Sequence, residues 1–321
     1  MVFLEIDDKP DIEWNKRLAN SKQGTISQTS EYAHYVEKSL NYIPFFIIIY
    51  DTPNNIVGQL LIFKTKSNNN NFLKSIFKKI LLRNKPIFQW VYGPIIFDLS
   101  LKEEIGKKLD EFFKNKNFRL SGSESPLMPK IFSGPLKYIQ IKPWCTFLID
   151  LTEDKDSIWK KIDKNSARKN IKRSQNREIK IKEITRDDLK YLHELRKDPI
   201  NKVFSESLSD LEFHWDTLHS VGWTGFLAFK NEIPVGGITI SNFNGYITEA
   251  GISRSTIDYE NKFYSQDLLK WKIIEWGIEK KCRYFDLTGF NPNPKNDKEK
   301  GIFRYKAKWG GNLKHFSIIR R

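Results

Sequence analysis

The sequence predicts an α+β fold in two lobes, residues 1–150 and 151–321. Three observations predict it. The length of 321 residues is about twice that of an average domain. Short apolar, β-branched runs alternate with helices of 3.6-residue periodicity, strands in groups of three, which points to largely antiparallel sheets. No repeat of 20 to 50 residues recurs, which excludes a solenoid or propeller.

The elements follow in order. PFFIIIY (44–50) and IVGQLLIF (56–63), joined by DTPNN, read as a hairpin of buried strands. IFQWVYGPIIF (87–97) reads as a third strand interrupted at Gly93-Pro94. A helix over 100–117 places Leu101, Ile105, Leu109, Phe112 and Phe113 on one face. WCTFLIDL (144–151) is the next strand and leads into a basic helix at 154–176. A strand at 178–184 precedes a helix at 185–197, where Thr185 and Asp188 have capping-box spacing, and another helix near 207–220. Three strands follow at 225–230, 233–241 and 245–253. A long helix at 264–281 then aims Leu268, Leu269, Ile273, Trp276 and Ile278 at a core. RYFDLTGF (283–290) is a strand, GIFRYKAKWGG (301–311) a turn or helix, and LKHFSIIRR the last strand.

Composition narrows the function classes. Aromatic residues make up 14% of the chain, too rich for a disordered one. Two cysteines, Cys145 and Cys282, make neither a disulfide framework nor a four-ligand zinc site, so no metal is expected. The longest apolar run, nine residues from Tyr42 to Tyr50, is half a bilayer span, and the first residues lack a secretory pattern. A cytoplasmic protein is expected. Lys plus Arg number 54 against 39 Asp plus Glu, a net charge of +15 that favours polyanionic partners or reflects a lysine-rich coding bias. Two segments concentrate it. Residues 155–183 hold eleven basic and four acidic side chains, with Arg168, Lys169, Lys172 and Arg173 spaced for one helix face. Residues 64–85 hold seven basic and no acidic ones. Within them FLKSIFKKILLR (72–83) has the pattern of a cationic amphipathic helix, suited to an anionic membrane face or to packing on its own domain.

Five stretches resemble the Fem-type (FemABX) aminoacyltransferases, within the GNAT-like acyltransferase superfamily. They are ISQTSEYAHYV (26–36), WVYGPIIFD (90–98), the strand and basic helix of 147–181, the strand–helix–strand of 249–290, and GIFRYKAKWGG (301–311). Together they cover most of the chain. The resemblance implies two tandem GNAT-like lobes, without the coiled-coil arm of the longer members. It also implies transfer of an aminoacyl group from aminoacyl-tRNA to an amine of a peptidoglycan or other cell-envelope precursor. Relatives use acyl-CoA instead, and a non-catalytic RNA- or membrane-binding protein on the same scaffold is a third reading. No resident cofactor is implied.

The chemistry needs a neutral amine, a site for oxyanion charge and a positioned donor. No Ser-His-Asp or Cys-His pattern suggests an acyl-enzyme, so direct attack on the ester is expected. By resemblance Lys306 faces the acylated end of the donor, or else ends a basic helix packed by Trp309. Tyr305 replaces the usual Phe and is offered to a terminal base; Arg304, Arg168 and Lys172 are offered to donor phosphates. Glu249, on a strand, is a general base or an ion-pair partner. Asp286, at a strand exit, binds a substrate amine or orders the next loop, and Tyr264 and Gly93 complete the substrate-side candidates. Where the family's first lobe carries an acid, this sequence has Ser121 and Gly122 in FRLSGSESP (118–126). The P-loop, the GxGxxG turn and the pyrophosphate loop of ordinary acetyl-CoA enzymes are absent.

Overall fold

The structure is a computed structural model. It describes residues 1–65, 86–114, 118–128, 130–133, 136–201 and 206–321. The amphipathic segment 72–83 and the asparagine run before it lie outside the described residues. Met1–Trp144 with His315–Arg321 form one compact unit, and Cys145–Lys314 form the second.

The first unit opens with β1 (Phe3–Asp7), α1 (Trp14–Asn20) and α2 (Ser30–Leu40), the last capped by the Thr29 hydroxyl, which accepts from the Tyr32 N–H. The expected hairpin is β2 (Ile43–Thr52) and β3 (Asn55–Lys64), antiparallel, with β1 added on the outer side of β2. The single strand expected at 87–97 is instead two short ones, β4 (Ile87–Gln89) and β5 (Ile95–Ile96), pairing with opposite ends of β3. Trp90 causes the interruption. Its indole is buried and its N–H donates to the Gly93 carbonyl at 2.9 Å, folding the chain back between the two strands. α3 (Lys102–Phe112) buries Ile105 and Leu109, and β6 (Arg119–Ser123) pairs parallel with β4 and antiparallel with Ile318–Arg320.

β6 explains the glycine at 122 in this departure. A Cβ at Gly122 would stand 2.1 Å from the Trp90 ring, so no side chain, carboxylate or otherwise, fits there. Gly122→Ala is expected to destabilise the first unit by about 1–3 kcal/mol or more through overpacking, read as a lowered urea midpoint. An unchanged midpoint would show that the indole yields.

β7 (Gln140–Asp150) leads into the second unit. The basic helix expected at 154–176 is two helices, α4 (Lys155–Lys161) and α5 (Ala167–Asn176). Asp163 breaks it: its carboxylate accepts from the Asn165 and Ser166 N–H groups at 2.8 and 2.7 Å, a local turn that competes with helix. β8 (Lys180–Glu183), α6 (Leu189–Lys197) with its Thr185/Asp188 capping box, and α7 (Leu208–Leu218) follow. β9 (Trp223–Lys230), β10 (Ile233–Phe243) and β11 (Tyr246–Arg254) make an antiparallel run. After α8 (Thr256–Asn261), α9 (Ser265–Glu279) crosses to β12 (Tyr284–Asp286), and the chain ends in α10 (Asp297–Ala307) and β13 (Asn312–Arg320). Leu268, Leu269, Trp271, Ile273, Ile274 and Trp276 of α9 are all buried. A helix apolar on most of its circumference needs cover on both sides. The sheet provides one side and α5 the other.

One feature of this sheet positions the site. β11 and β12 run parallel, but they pair only over Tyr246–Thr248 and Tyr284–Asp286. Beyond that β11 continues to Arg254, with a bulge opposite Thr239/Ile240, while the other chain passes through Thr288 and Gly289 to bridge Phe290 with Cys145 of β7. The two parallel strands therefore part at their carboxyl ends.

Candidate active site

Side chains of β11, α9, α10 and the segment after β12 converge where the strands part. Asp286 is fully buried. Its Oδ2 accepts from the Tyr246 hydroxyl at 2.5 Å; its Oδ1 accepts from the Thr146 hydroxyl at 2.5 Å and the Thr288 N–H at 2.8 Å. Both oxygens are engaged by protein donors, and the bond to the Thr288 N–H orders the following loop, the second of the two roles expected for Asp286. Thr288 has φ +64°. A β-branched residue in the left-handed region is strained by about 1–3 kcal/mol and persists only where its surroundings over-determine it.

Lys306 supplies much of that determination. Its ammonium is buried and donates to the Thr288 carbonyl at 2.9 Å, the Thr288 hydroxyl oxygen at 3.1 Å and the Gly289 carbonyl at 3.3 Å. Burial pushes its pKa from the ordinary 10.5 down to about 8; Lys270 acts in the same sense, while Glu249 and Asp286 oppose it. Between about 8 and 10.5 the unfolded chain therefore binds the proton that the folded chain has released. Stability should rise with pH across that window in the wild type, relative to Lys306→Met, as urea midpoints on either side of the window would show. Parallel pH curves for the two proteins would contradict the shift.

Glu249 is paired with Lys270, whose side chain is 1% exposed. Of the two roles expected for Glu249, the structure shows the ion pair, because α9 places an ammonium against it. Lys270 also lies 5.2 Å from the Tyr305 ring centroid and 5.8 Å from those of Phe285 and Trp309. A second pair, Lys308 with Asp267 at 2.6 Å, flanks Tyr305 at 4.4 Å, and Asp267 also accepts from Asn170 of α5 at 2.7 Å. The ring offered to a terminal base thus already carries two ammonium groups. Burial, with Asp267 and Glu249 adding to it, pushes the Tyr305 phenol well above its ordinary range, so it stays a donor.

Lys306, Glu249, Tyr305 and Asp286 are therefore together. Tyr264 stands at the start of α9 in a left-handed conformation, its hydroxyl accepting from Arg173 at 3.4 Å and its ring under that guanidinium at 5.6 Å. Arg168 is half-buried on α5, Lys172 is exposed on the same helix, and Arg304 is exposed on α10. Gly93 belongs to the first unit, where a Cβ would strike Leu60 and Gln28, so its place is a packing requirement. Sequence reasoning missed Lys270, Asp267, Thr288, Thr146 and Tyr246; Lys308, expected to be solvated or phosphate-facing, is instead paired with Asp267. Lys270 left a readable signal, a lysine within the apolar run LLKWKII.

The first turn of α9 bears on what this site can hold. A helix start ordinarily attracts phosphate through its free N–H groups. Here the Ser265 N–H donates to the buried Asp258 carboxylate at 3.0 Å, and Asp267 lies in the same turn. One carboxylate, that of Asp258, thus takes a helix-start N–H that an anion would otherwise meet, while that of Asp267 is held by Lys308 and Asn170.

No family model matches the chain, and no curated protein matches it in sequence. Solved structures do match. FemX superposes with a TM-score of 0.67 at 13% identity, covering 98% of this chain and 96% of FemX. The chain carries the FemX fold. L-PGS from Bacillus licheniformis matches at 0.57 and 12% identity, covering 98% and 93%, and a tandem GNAT protein from the clavulanic acid biosynthesis pathway at 0.54 and 9%, covering 100% and 98%. The expected α+β, tandem GNAT-like architecture is thus the observed one.

Proposed function

We propose that this chain is an acyltransferase that moves an aminoacyl group from aminoacyl-tRNA to an amine of a cell-envelope precursor such as a peptidoglycan peptide. The observation that carries the choice of donor is the start of α9. There the Asp258 carboxylate already takes the Ser265 N–H that a CoA pyrophosphate would use, while the adjoining α5 turns Lys169, Lys172 and Arg173 to solvent. Such a cationic face suits the phosphates of a nucleic-acid end. Whole-chain likeness to FemX supports the same reading through the fold alone. Direct attack, without an acyl-enzyme, fits a chain whose two cysteines are buried thiols pushed up by burial and hence poor nucleophiles.

The reaction uses charged tRNA and is therefore placed in the cytoplasm. No helix among the described residues is long and apolar enough to cross a membrane. The cationic sequence of 72–83 supports peripheral contact with an anionic membrane, which sedimentation with phosphatidylglycerol vesicles at low salt tests.

Thermal stabilisation separates the donors. Mixed aminoacyl-tRNA should raise the melting temperature, and acetyl-CoA should not. The apparent tRNA affinity should fall linearly on a log–log plot against salt, with a smaller slope in Lys169→Ala/Lys172→Ala/Arg173→Ala. Stabilisation by acetyl-CoA alone would favour an acyl-CoA-dependent N-acyltransferase. Stabilisation by neither would leave the scaffold non-catalytic.

A further inference from the structure

Lys306 has three N–H bonds, and the structure gives all three to the protein: the Thr288 carbonyl, the Thr288 hydroxyl oxygen and the Gly289 carbonyl. No hydrogen is left for a donor molecule. The ammonium therefore acts on whatever the Thr288–Gly289 segment does. A trans peptide directs its C=O and N–H oppositely, so fixing the Thr288 carbonyl on Lys306 aims the Gly289 N–H the other way. That N–H donates to no acceptor among the described residues, and Gly289 is only half-buried. The Thr288 N–H, by contrast, is taken by Asp286 at 2.8 Å. The Thr146 hydroxyl stands 2.8 Å from the same Thr288 carbonyl. That hydroxyl's one hydrogen goes to Asp286, so the Lys306 ammonium is what draws on the carbonyl; its peptide is polarised and the Gly289 N–H is a stronger donor than an ordinary amide. Thr288 is held in the left-handed region against its own steric preference by Asp286 on one side and Lys306 on the other.

We propose that the Gly289 N–H is the donor that receives the carbonyl oxygen of the acyl group, and that Lys306 is a positioning residue that aims and polarises it. The proposal rests on the acyl-transfer reading. In that step the lone pair of a neutral amine forms a C–N bond to the ester carbonyl carbon, and the π pair moves onto the oxygen facing Gly289. When the carbonyl re-forms, the ester C–O bond breaks, and the surplus proton on nitrogen ends on the released ribose hydroxyl. The preorganised N–H is useful only while the oxygen carries the extra charge.

Amide NMR of the full-length, deuterated protein tests both parts. In the wild type the Gly289 ¹H–¹⁵N resonance should titrate with a midpoint near 8, following Lys306. In Lys306→Met that titration should vanish while the rest of the spectrum stays dispersed. A Gly289 resonance indifferent to pH in the wild type overturns the positioning role even if the variant fails to fold. An aminoacyl phosphonate ester of adenosine, whose tetrahedral oxygens imitate the oxyanion, should move the Gly289 amide proton downfield in the wild type and much less in Lys306→Met. Binding that shifts neighbouring amides and leaves Gly289 still removes the donor role alone. No shift anywhere counts against acyl transfer itself and takes the donor role with it.

Discussion

Glu249→Gln should lower the stability of the second unit by about 3–5 kcal/mol, seen as an earlier urea transition in tryptophan fluorescence. The size follows from what the substitution leaves behind. Lys270 is buried in α9 between Phe285, Tyr305 and Trp309, and Glu249 is its carboxylate partner. The rings attract the cation, but they do not replace a carboxylate, so an uncompensated charge would remain in a poorly solvated place. Lys270→Met should cost a similar amount for the opposite reason. The double variant Glu249→Leu/Lys270→Met should recover most of the loss, because a buried pair and a well-packed apolar pair are often close in energy. Additive losses in the double variant would mean that the two side chains do not depend on each other. Activity should not return with stability: the apolar pair no longer draws the Tyr305 ring through Lys270.

Lys306→Met should lower the transfer rate by about 10²–10³-fold, with little change in KM and a folded spectrum. The ammonium binds Thr288 and Gly289 in the free protein, so its loss should be felt in the transition state more than in donor affinity. Lys306→Arg should not rescue it. A planar guanidinium cannot place three hydrogens on two adjacent carbonyls and a hydroxyl as a tetrahedral ammonium does. A KM-only effect would return Lys306 to direct donor binding, and an unchanged rate would remove it from the mechanism.

Much of this fold is legible in the sequence where local pattern and burial agree. The β2–β3 hairpin is written in PFFIIIY and IVGQLLIF, and the three strands from 223 to 254 are nearly as plain. β1 is not, because FLEID is mostly exposed and carries no apolar alternation strong enough to read. The basic helix reads as one because its charges are continuous, while the break comes from a single carboxylate folding back on Asn165 and Ser166. At the site, Lys306 and Glu249 were visible as types in a motif, but their partners were not. Asp286 is satisfied by a hydroxyl 140 residues earlier in the chain, and the apolar run around Lys270 hints at its burial but not at Glu249 as its partner. Those contacts are products of topology, and no spacing rule announces them. Gly122 shows the converse: a departure from the family's pattern is a steric demand of the Trp90 ring.

The most direct measurement follows a labelled aminoacyl group. With mixed [¹⁴C]aminoacyl-tRNA and a muramyl pentapeptide, label should pass to the peptide amine in the wild type and slow by about two orders of magnitude or more in Lys306→Met. Label that stays on the tRNA, while [¹⁴C]acetyl-CoA acylates the same peptide, would contradict the account.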